Sequence, residues 1–346
     1  MNSTPRFART AVAVLTIAVA ASTSIRSEAA EDMFYKDKTV RMISASAPGG
    51  GYDAIARLVA KHLPKHIPGN PNIIVVNMPG GGGNTAANHV YHIAPKDGTA
   101  IGAFNRASVT APLMGKDEIK FDVDQFQWLG TYASYRDNSY VLWMRRGVPH
   151  RTLKDLQDTK LPMTNLGISG EEVTAVLKDA LRLNVKLIRG YSGSADLDLA
   201  FERGEVDGQT SGYDSVKSTK SHWITNYALP FVQFGRGMVP LDIPDLKGVP
   251  TALQAATTPE DKALIELGEI ALTVARPFAL PPGVPAERVA MLRRAFDKTM
   301  TDPELIKENG VQFEISPKSG EEVQKIIGTL RHIPKSVIER YQEATK

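Results

Sequence analysis

The sequence predicts an α/β chain folded as two lobes. Two patterns carry that expectation. A strand, a glycine-rich loop and a helix follow one another twice in succession near the N-terminus, and strand, small-polar loop and helix recur beyond residue 139. The 346 residues are also too many for one ordinary core and suit two of roughly 150 residues each. Hydrophobic residues make up 42% and charged residues 23%, which marks the chain as globular rather than disordered. The 22 prolines and 28 glycines imply many sharp connections between short elements.

Residues 1–29 have the pattern of a secretory signal. Arg6 and Arg9 form a basic start, and Thr10 to Ala21 is an apolar run too short to span a bilayer comfortably. Ser27 and Ala29 put small residues at the usual positions for cleavage after Ala29. No later apolar run approaches the ~18 residues of a membrane span, so an exported, soluble protein is expected. The chain has no cysteine, which excludes disulfides, a thiolate nucleophile, a Cys-type zinc site and a bacterial lipid anchor. The formal charge of +3 includes a net +2 from Arg6, Arg9, Arg26 and Glu28, leaving +1 for the rest. With no basic run interleaved with aromatics, nucleic acid is not an expected partner.

In the first lobe, Thr39 to Ala45 reads as a strand that runs into Pro48-Gly49-Gly50-Gly51-Tyr52-Asp53. Ile55, Leu58, Val59 and Leu63 then repeat at helical spacing up to Pro64. A second strand, Asn72 to Asn77, runs into Met78-Pro79-Gly80-Gly81-Gly82-Gly83-Asn84. Asn84 is expected to cap the next helix, which buries Ala86, Ala87, Val90 and Tyr91. A third strand spans Thr99 to Phe104. This order implies a parallel sheet with right-handed crossovers, so both loops lie at the C-terminal ends of neighbouring strands and each feeds a helix start. Free backbone N–H groups and positive helix ends then face one crevice, an arrangement that favours an anion.

The kind of anion follows from what the loops lack. Neither has the lysine of a P-loop, and although Gly80 and Gly82 fit a dinucleotide fingerprint, the next slot is Thr85. A carboxylate needs only a few amides and a hydroxyl or water. Each charge-assisted bond contributes about 1.5–3 kcal/mol, so three or four are of the order needed for micromolar binding, about 8 kcal/mol, before the costs of association.

Pro48–Asp53, Asn77–Asn84 and then Ala94-Pro95-Lys96-Asp97-Gly98-Thr99 together resemble the substrate-binding receptors of tripartite tricarboxylate transporters, the Bug-type extracytoplasmic solute receptors. The resemblance is specific over residues 38–105. It continues more loosely through Tyr191-Ser192-Gly193-Ser194, Gly204–Asp207 and Leu280-Pro281-Pro282-Gly283-Val284-Pro285. It implies a type II periplasmic binding protein fold, two α/β lobes with crossing hinge strands. It also implies that Gly49, Gly50, Gly51, Tyr52 and Asp53, with Gly80, Gly81, Gly82, Gly83 and Asn84, grip the proximal carboxylate of the ligand. One departure is the unbroken Gly80–Gly83 run, where many relatives have Pro-Gly-Ala-Gly-Gly. The expected organisation is a signal at 1–29, lobe one from 30 to 138, lobe two from 139 to 238, and a return to lobe one over 239–346 with C-terminal helices.

The second lobe repeats the anion-friendly device with hydroxyls added. A strand at Leu161–Asn165 leads to Ser169 and Gly170, and one at Val185–Arg189 leads to Ser192, Gly193 and Ser194. These five are expected to meet the distal part of the ligand, with helix capping as the plainer alternative for the serines. Tyr213 and Asp214, after a short strand around Val206 to Gln209, are weaker candidates for the same cleft. Arg106, after the third strand, suits bidentate pairing with a second carboxylate or, alternatively, an interlobe salt bridge. His89 and His92, three apart, and likewise His62 and His66, lack a third ligand in sequence, so no metal is expected. Nucleophile-elbow, zinc-protease and kinase signatures are absent, and neither catalysis nor a cofactor is expected. The expectation is a monomeric, periplasmic binding protein that delivers a small organic carboxylate to the membrane components of a tripartite tricarboxylate-type transporter. A sensor presenting the carboxylate to a receptor kinase, or an exported enzyme, remain the alternatives.

Overall fold

A computed structural model describes residues 34–49, 51–136, 138–168, 173–191 and 194–346. The signal expected at residues 1–29 lies outside them. The first run of elements is β1 (Thr39–Ser44), α1 (Gly51–His62), β2 (Asn72–Asn77), α2 (Asn84–His92), β3 (Ala100–Ala103), α3 (Ala107–Thr110) and β4 (Gln127–Thr131). The second is β5 (Tyr140–Arg145), β6 (Thr164–Gly167), α4 (Val173–Ala180), β7 (Val185–Ile188), α5 (Ser194–Arg203), β8 (Gly208–Gly212), α6 (Tyr213–Thr219) and β9 (Ala228–Phe234). The chain ends with α7 (Ala252–Ala255), α8 (Pro259–Thr273), β10 (Pro277–Leu280), α9 (Ala286–Met300), α10 (Pro303–Asn309), β11 (Lys318–Ser319), α11 (Gly320–Gly328) and α12 (Lys335–Thr345).

Two sheets organise these elements, in the orders β11-β4-β10-β3-β1-β2 and β7-β6-β8-β5-β9. In the first, β2, β1 and β3 are parallel, as their helical crossovers require, and β10 enters antiparallel between β3 and β4. In the second, β7, β6 and β8 are parallel, and β5 lies antiparallel between β8 and β9. In the first sheet β1 to β4 therefore run one way and β10 and β11 the other, and in the second β6 to β9 run one way and β5 the other; β10 and β5 are the strands by which the chain arrives from the other lobe. The sequence pattern foresaw the parallel part but not the reversed β10.

Each sheet has its own aromatic centre. Phe126 packs 5.1 Å from Phe104 and 5.6 Å from Trp128, ring centre to ring centre. Gly102 makes room for this group, since a Cβ there would lie 2.3 Å from the Phe104 ring. In lobe two, Phe201 and Trp223 meet edge to face at 4.7 Å, and the Trp223 indole N–H donates to Glu202 at 2.8 Å. Asp207 joins three strands there by accepting from Thr164, from the Asn165 N–H and from Arg145.

The lobes are joined by two segments that run side by side. The Tyr132 N–H donates to the Arg276 carbonyl at 3.0 Å, and the Ala275 N–H donates to the Ala133 carbonyl at 3.1 Å. The return to the first sheet comes at Pro277, later than the expected residue 239. Helix α8 instead packs on α4, and α12 packs on both. The buried Asp261 of α8 fixes this group, lying 2.7 Å from Arg182 and 2.9 Å from Arg340 of α12. Helices α9 and α11 do cover β4 of lobe one.

Candidate functional site: the cleft between the sheets

The loops after β1 and β2 lie side by side because those strands are neighbours. Loop one is braced by Asp53. Its carboxylate accepts from the Gly49 N–H at 2.9 Å, from Arg57 at 2.9 Å and from Asn77 at 2.6 Å. Burial alone would raise its pKa, but hydrogen bonds from Arg57, Asn77 and Gly49 outweigh that and hold the carboxyl below the usual carboxylate range. Asp53 is thus turned inward to shape the loop.

Loop two is shaped by its own backbone. Gly80, Gly81, Gly82 and Gly83 have φ of 129°, 55°, 67° and 104°, a run that side chains rarely tolerate. The Gly83 N–H closes onto the Gly80 carbonyl at 2.9 Å, and Asn105 donates to the Gly82 carbonyl at 3.1 Å. A Cβ on Gly83 would lie 2.9 Å from the Asn105 amide. The helix cap expected at Asn84 falls instead on the left-handed Gly83, and Asn84 is the first helical residue. The cause is the glycine run itself, which turns the chain into the helix one residue early.

Both loops open on a cavity of about 930 Å³ between the sheets. Gly51, Tyr52, Gly82 and Arg106, all foreseen, line it on the lobe-one side together with Asn105 and Arg276. Gly49, Gly80, Gly81 and Gly83 belong to the same two loops behind these residues. Across the cavity stand Thr210, Ser211 and Gly212 of β8 and Asp214 and Ser215 of α6. Phe234, Val176, Leu272 and Phe313 supply apolar wall. Gly50, Ser169, Gly170, Ser192 and Gly193 lie outside the described residues, as does the side chain of Ser194, which opens α5.

Tyr213 has a different place from the one expected. It is buried in the lobe-two core beside Val141, Trp143 and Val216, and its hydroxyl donates to Asp245 at 2.7 Å. Burial and the Asp245 carboxylate both push its phenol pKa up. Both residues open helix α6, where neighbours point about 100° apart, so Asp214 faces the cavity while Tyr213 turns into the core.

The charges around the cavity are held by aromatic rings. Arg106 donates through its guanidinium to the Tyr140 hydroxyl at 2.9 Å, and its main-chain N–H donates to the Tyr52 hydroxyl at 3.3 Å. The Arg276 guanidinium lies 4.2 Å from the centre of the Tyr52 ring, within cation–π range. Lys220 is satisfied by Asp198 at 2.6 Å. Sequence reasoning missed Arg276 and, in the β8–α6 wall, every residue but Asp214. The signal for Arg276 was present: it is the only charged residue between Glu269 and Glu287.

Of the histidines set aside as metal ligands, His62 and His66 belong to a separate cluster on lobe one, whereas the His92 ring bonds to the Lys120 carbonyl. His62 comes together there with Asp302 and Glu304. Lys65 stands in the same group, 2.7 Å from both Asp302 and Glu304, and already supplies the cation that those carboxylates attract.

No family model matches the chain. A UPF0065 protein of Bordetella bronchiseptica is 35% identical over 97 residues, an alignment spanning 28% of this chain and 28% of that protein. Among solved structures, a TctC solute-binding protein from Polaromonas superposes with a TM-score of 0.64 at 21% identity, over 90% of this chain and 98% of its own. The periplasmic binding protein BugD gives 0.59 at 19% identity, with 90% and 98% covered. The R. palustris protein Rpa4515, solved with adipate, gives 0.58 at 19% identity, with 89% and 96% covered. The chain therefore has the two-lobed α/β fold of the TctC- and BugD-type periplasmic binding proteins.

Proposed function

We propose that this chain is an exported, periplasmic solute-binding protein of the tripartite tricarboxylate receptor family. It captures a small organic carboxylate, a di- or tricarboxylate or an aromatic carboxylate, and delivers it to the membrane components of a tripartite tricarboxylate-type transporter. It performs no covalent chemistry. The single observation that carries this reading is that Gly51 and Tyr52 of one glycine loop and Gly82 of the next face the same interlobe cavity. Helix starts and main-chain N–H groups there suit a negative head group. Adipate on a relative of the same fold supports the ligand class. Location outside the cytoplasm rests on the signal-like start, and among the described residues no helix is long and apolar enough to cross a membrane.

Binding across a two-lobed cleft closes it, and the paired crossing segments at Ala133 and Ala275 form a natural hinge. The closed form is the one the transporter recognises. Isothermal titration of the purified protein against mono-, di- and tricarboxylates, aromatic ones included, tests the assignment. Micromolar binding to at least one of them is expected. Heat with phosphates or sugars alone overturns it.

A further inference from the structure

We infer that the outer edge of β2 is a self-association surface, at which two copies of this chain pair their β2 strands antiparallel about a twofold axis. The inference is independent of what the cleft binds.

The sheet edges among the described residues are not alike. β11 is two residues long, and β7 is four residues long and carries the exposed Lys186. β9 contains Pro230 and shifts register against β5. It is also covered where Gln233 bridges Thr251 and the Gln233 N–H donates to the Pro250 carbonyl at 2.9 Å. Short edges, edge lysines, prolines and covering segments are the usual devices that stop a strand from pairing with another chain. β2 has none of them. Its six residues, Asn-Ile-Ile-Val-Val-Asn, hold register with β1 throughout and include no charge and no proline. Ile74 is 41% exposed.

The groups at this edge follow from the ladder to β1. The Asn72 N–H donates to the Lys38 carbonyl and the Met78 N–H to the Ser44 carbonyl. Partners alternate along a strand, so Ile73, Val75 and Asn77 turn their N–H and C=O away from β1, where no further strand lies among the described residues. A second β2 satisfies all three when Val75 of one copy stands opposite Val75 of the other and Ile73 opposite Asn77. About six main-chain hydrogen bonds then form. In that register Ile74 of each copy meets Val76 of the other on the more exposed face, an apolar pair made twice. Arg41, beside Ile74 on β1, lies at least three strand spacings, about 14 Å, from its twofold mate, beyond the Debye length at physiological salt. On the other face Arg57 is held by Asp53 and Asn77.

The occupant is a second copy rather than the start of the same chain. With the signal expected at 1–29 removed, Ala30-Glu31-Asp32-Met33 are too few to line a six-residue strand, and two of them are carboxylates. Twofold pairing also consumes the open edge of both copies, so assembly stops at two.

Sedimentation equilibrium of the purified protein tests this. The wild type is expected to pass from monomer to dimer with a Kd of about 10–100 μM, the range of a small interface. Ile74→Lys brings two ammonium groups together across the axis and should weaken the dimer about tenfold or more, with thermal scans confirming that the variant folds. The register is read by cross-linking, since the chain has no cysteine of its own. Positions 74 and 76 of opposite copies form a closely spaced pair, about 4.5 Å between Cα atoms and within disulfide reach. A mixture of Ile74→Cys and Val76→Cys under mild oxidation should therefore yield disulfide dimer faster than either variant alone. A protein that stays monomeric up to about 200 μM overturns the inference. So does a dimer that Ile74→Lys leaves intact, a mixture that cross-links no faster than its components, or assembly beyond two.

Discussion

The two glycine loops of lobe one look alike in sequence and are built differently. Loop one is held by a side chain, because Asp53 ties Gly49, Arg57 and Asn77 into one hydrogen-bonded knot. Loop two has no such tie from within. Four successive glycines at positive φ give it its shape, with Asn105 touching it from β3. Similar glycine-rich turns can thus be fixed by a titratable group in one place and by steric freedom in another. The difference predicts that the two loops fail under different challenges.

The largest effect is expected at loop two. Gly83→Ala places a Cβ at φ 104° and 2.9 Å from the Asn105 amide. Local strain of about 1–3 kcal/mol follows, and either the loop or Asn105 must move. Carboxylate affinity by titration should fall about 10- to 100-fold, and the strain should lower the unfolding temperature by a few degrees. Unchanged affinity would show that the left-handed run is not what presents the donors.

The smaller effect is at loop one and depends on pH. Asp53→Asn is expected to cost about 1–2 kcal/mol at neutral pH, the loss of charge-assisted bonds with its partners partly kept. Because the folded pKa of Asp53 lies below its ordinary value of 3.8, its contribution is complete above that value and is lost as pH falls through the folded one. The stability gap between wild type and variant, read by thermal unfolding, should therefore close in acid. A gap that persists at low pH would remove Asp53 as the brace. Loop two contains no ionisable side chain, so its own shape should not follow that titration.

Much of this arrangement was legible because it is local. Strand, glycine turn and helix follow one another within a dozen residues, so Gly51, Tyr52 and Gly82 could be assigned to one crevice from spacing alone. Arg106 was legible for the same reason, standing just past β3. Arg276 was not, since it reaches the cleft only because β10 inserts antiparallel between β3 and β4, far along the chain. Tyr213 was misplaced because its neighbour Asp214 takes the cavity side, which spacing cannot distinguish. The return point was placed too early because the apolar faces of α8 and α12 carry no mark of which sheet they cover; burial of Leu264, Ile265, Val337 and Tyr341 decides it.

The most direct measurement is a crystal structure of the protein with a short dicarboxylate bound. One carboxylate is predicted to lie within hydrogen-bonding distance of main-chain N–H groups in both loops, in the cavity that Gly51 and Gly82 line. A ligand held wholly by other groups, with both loops turned away from it, would contradict the account.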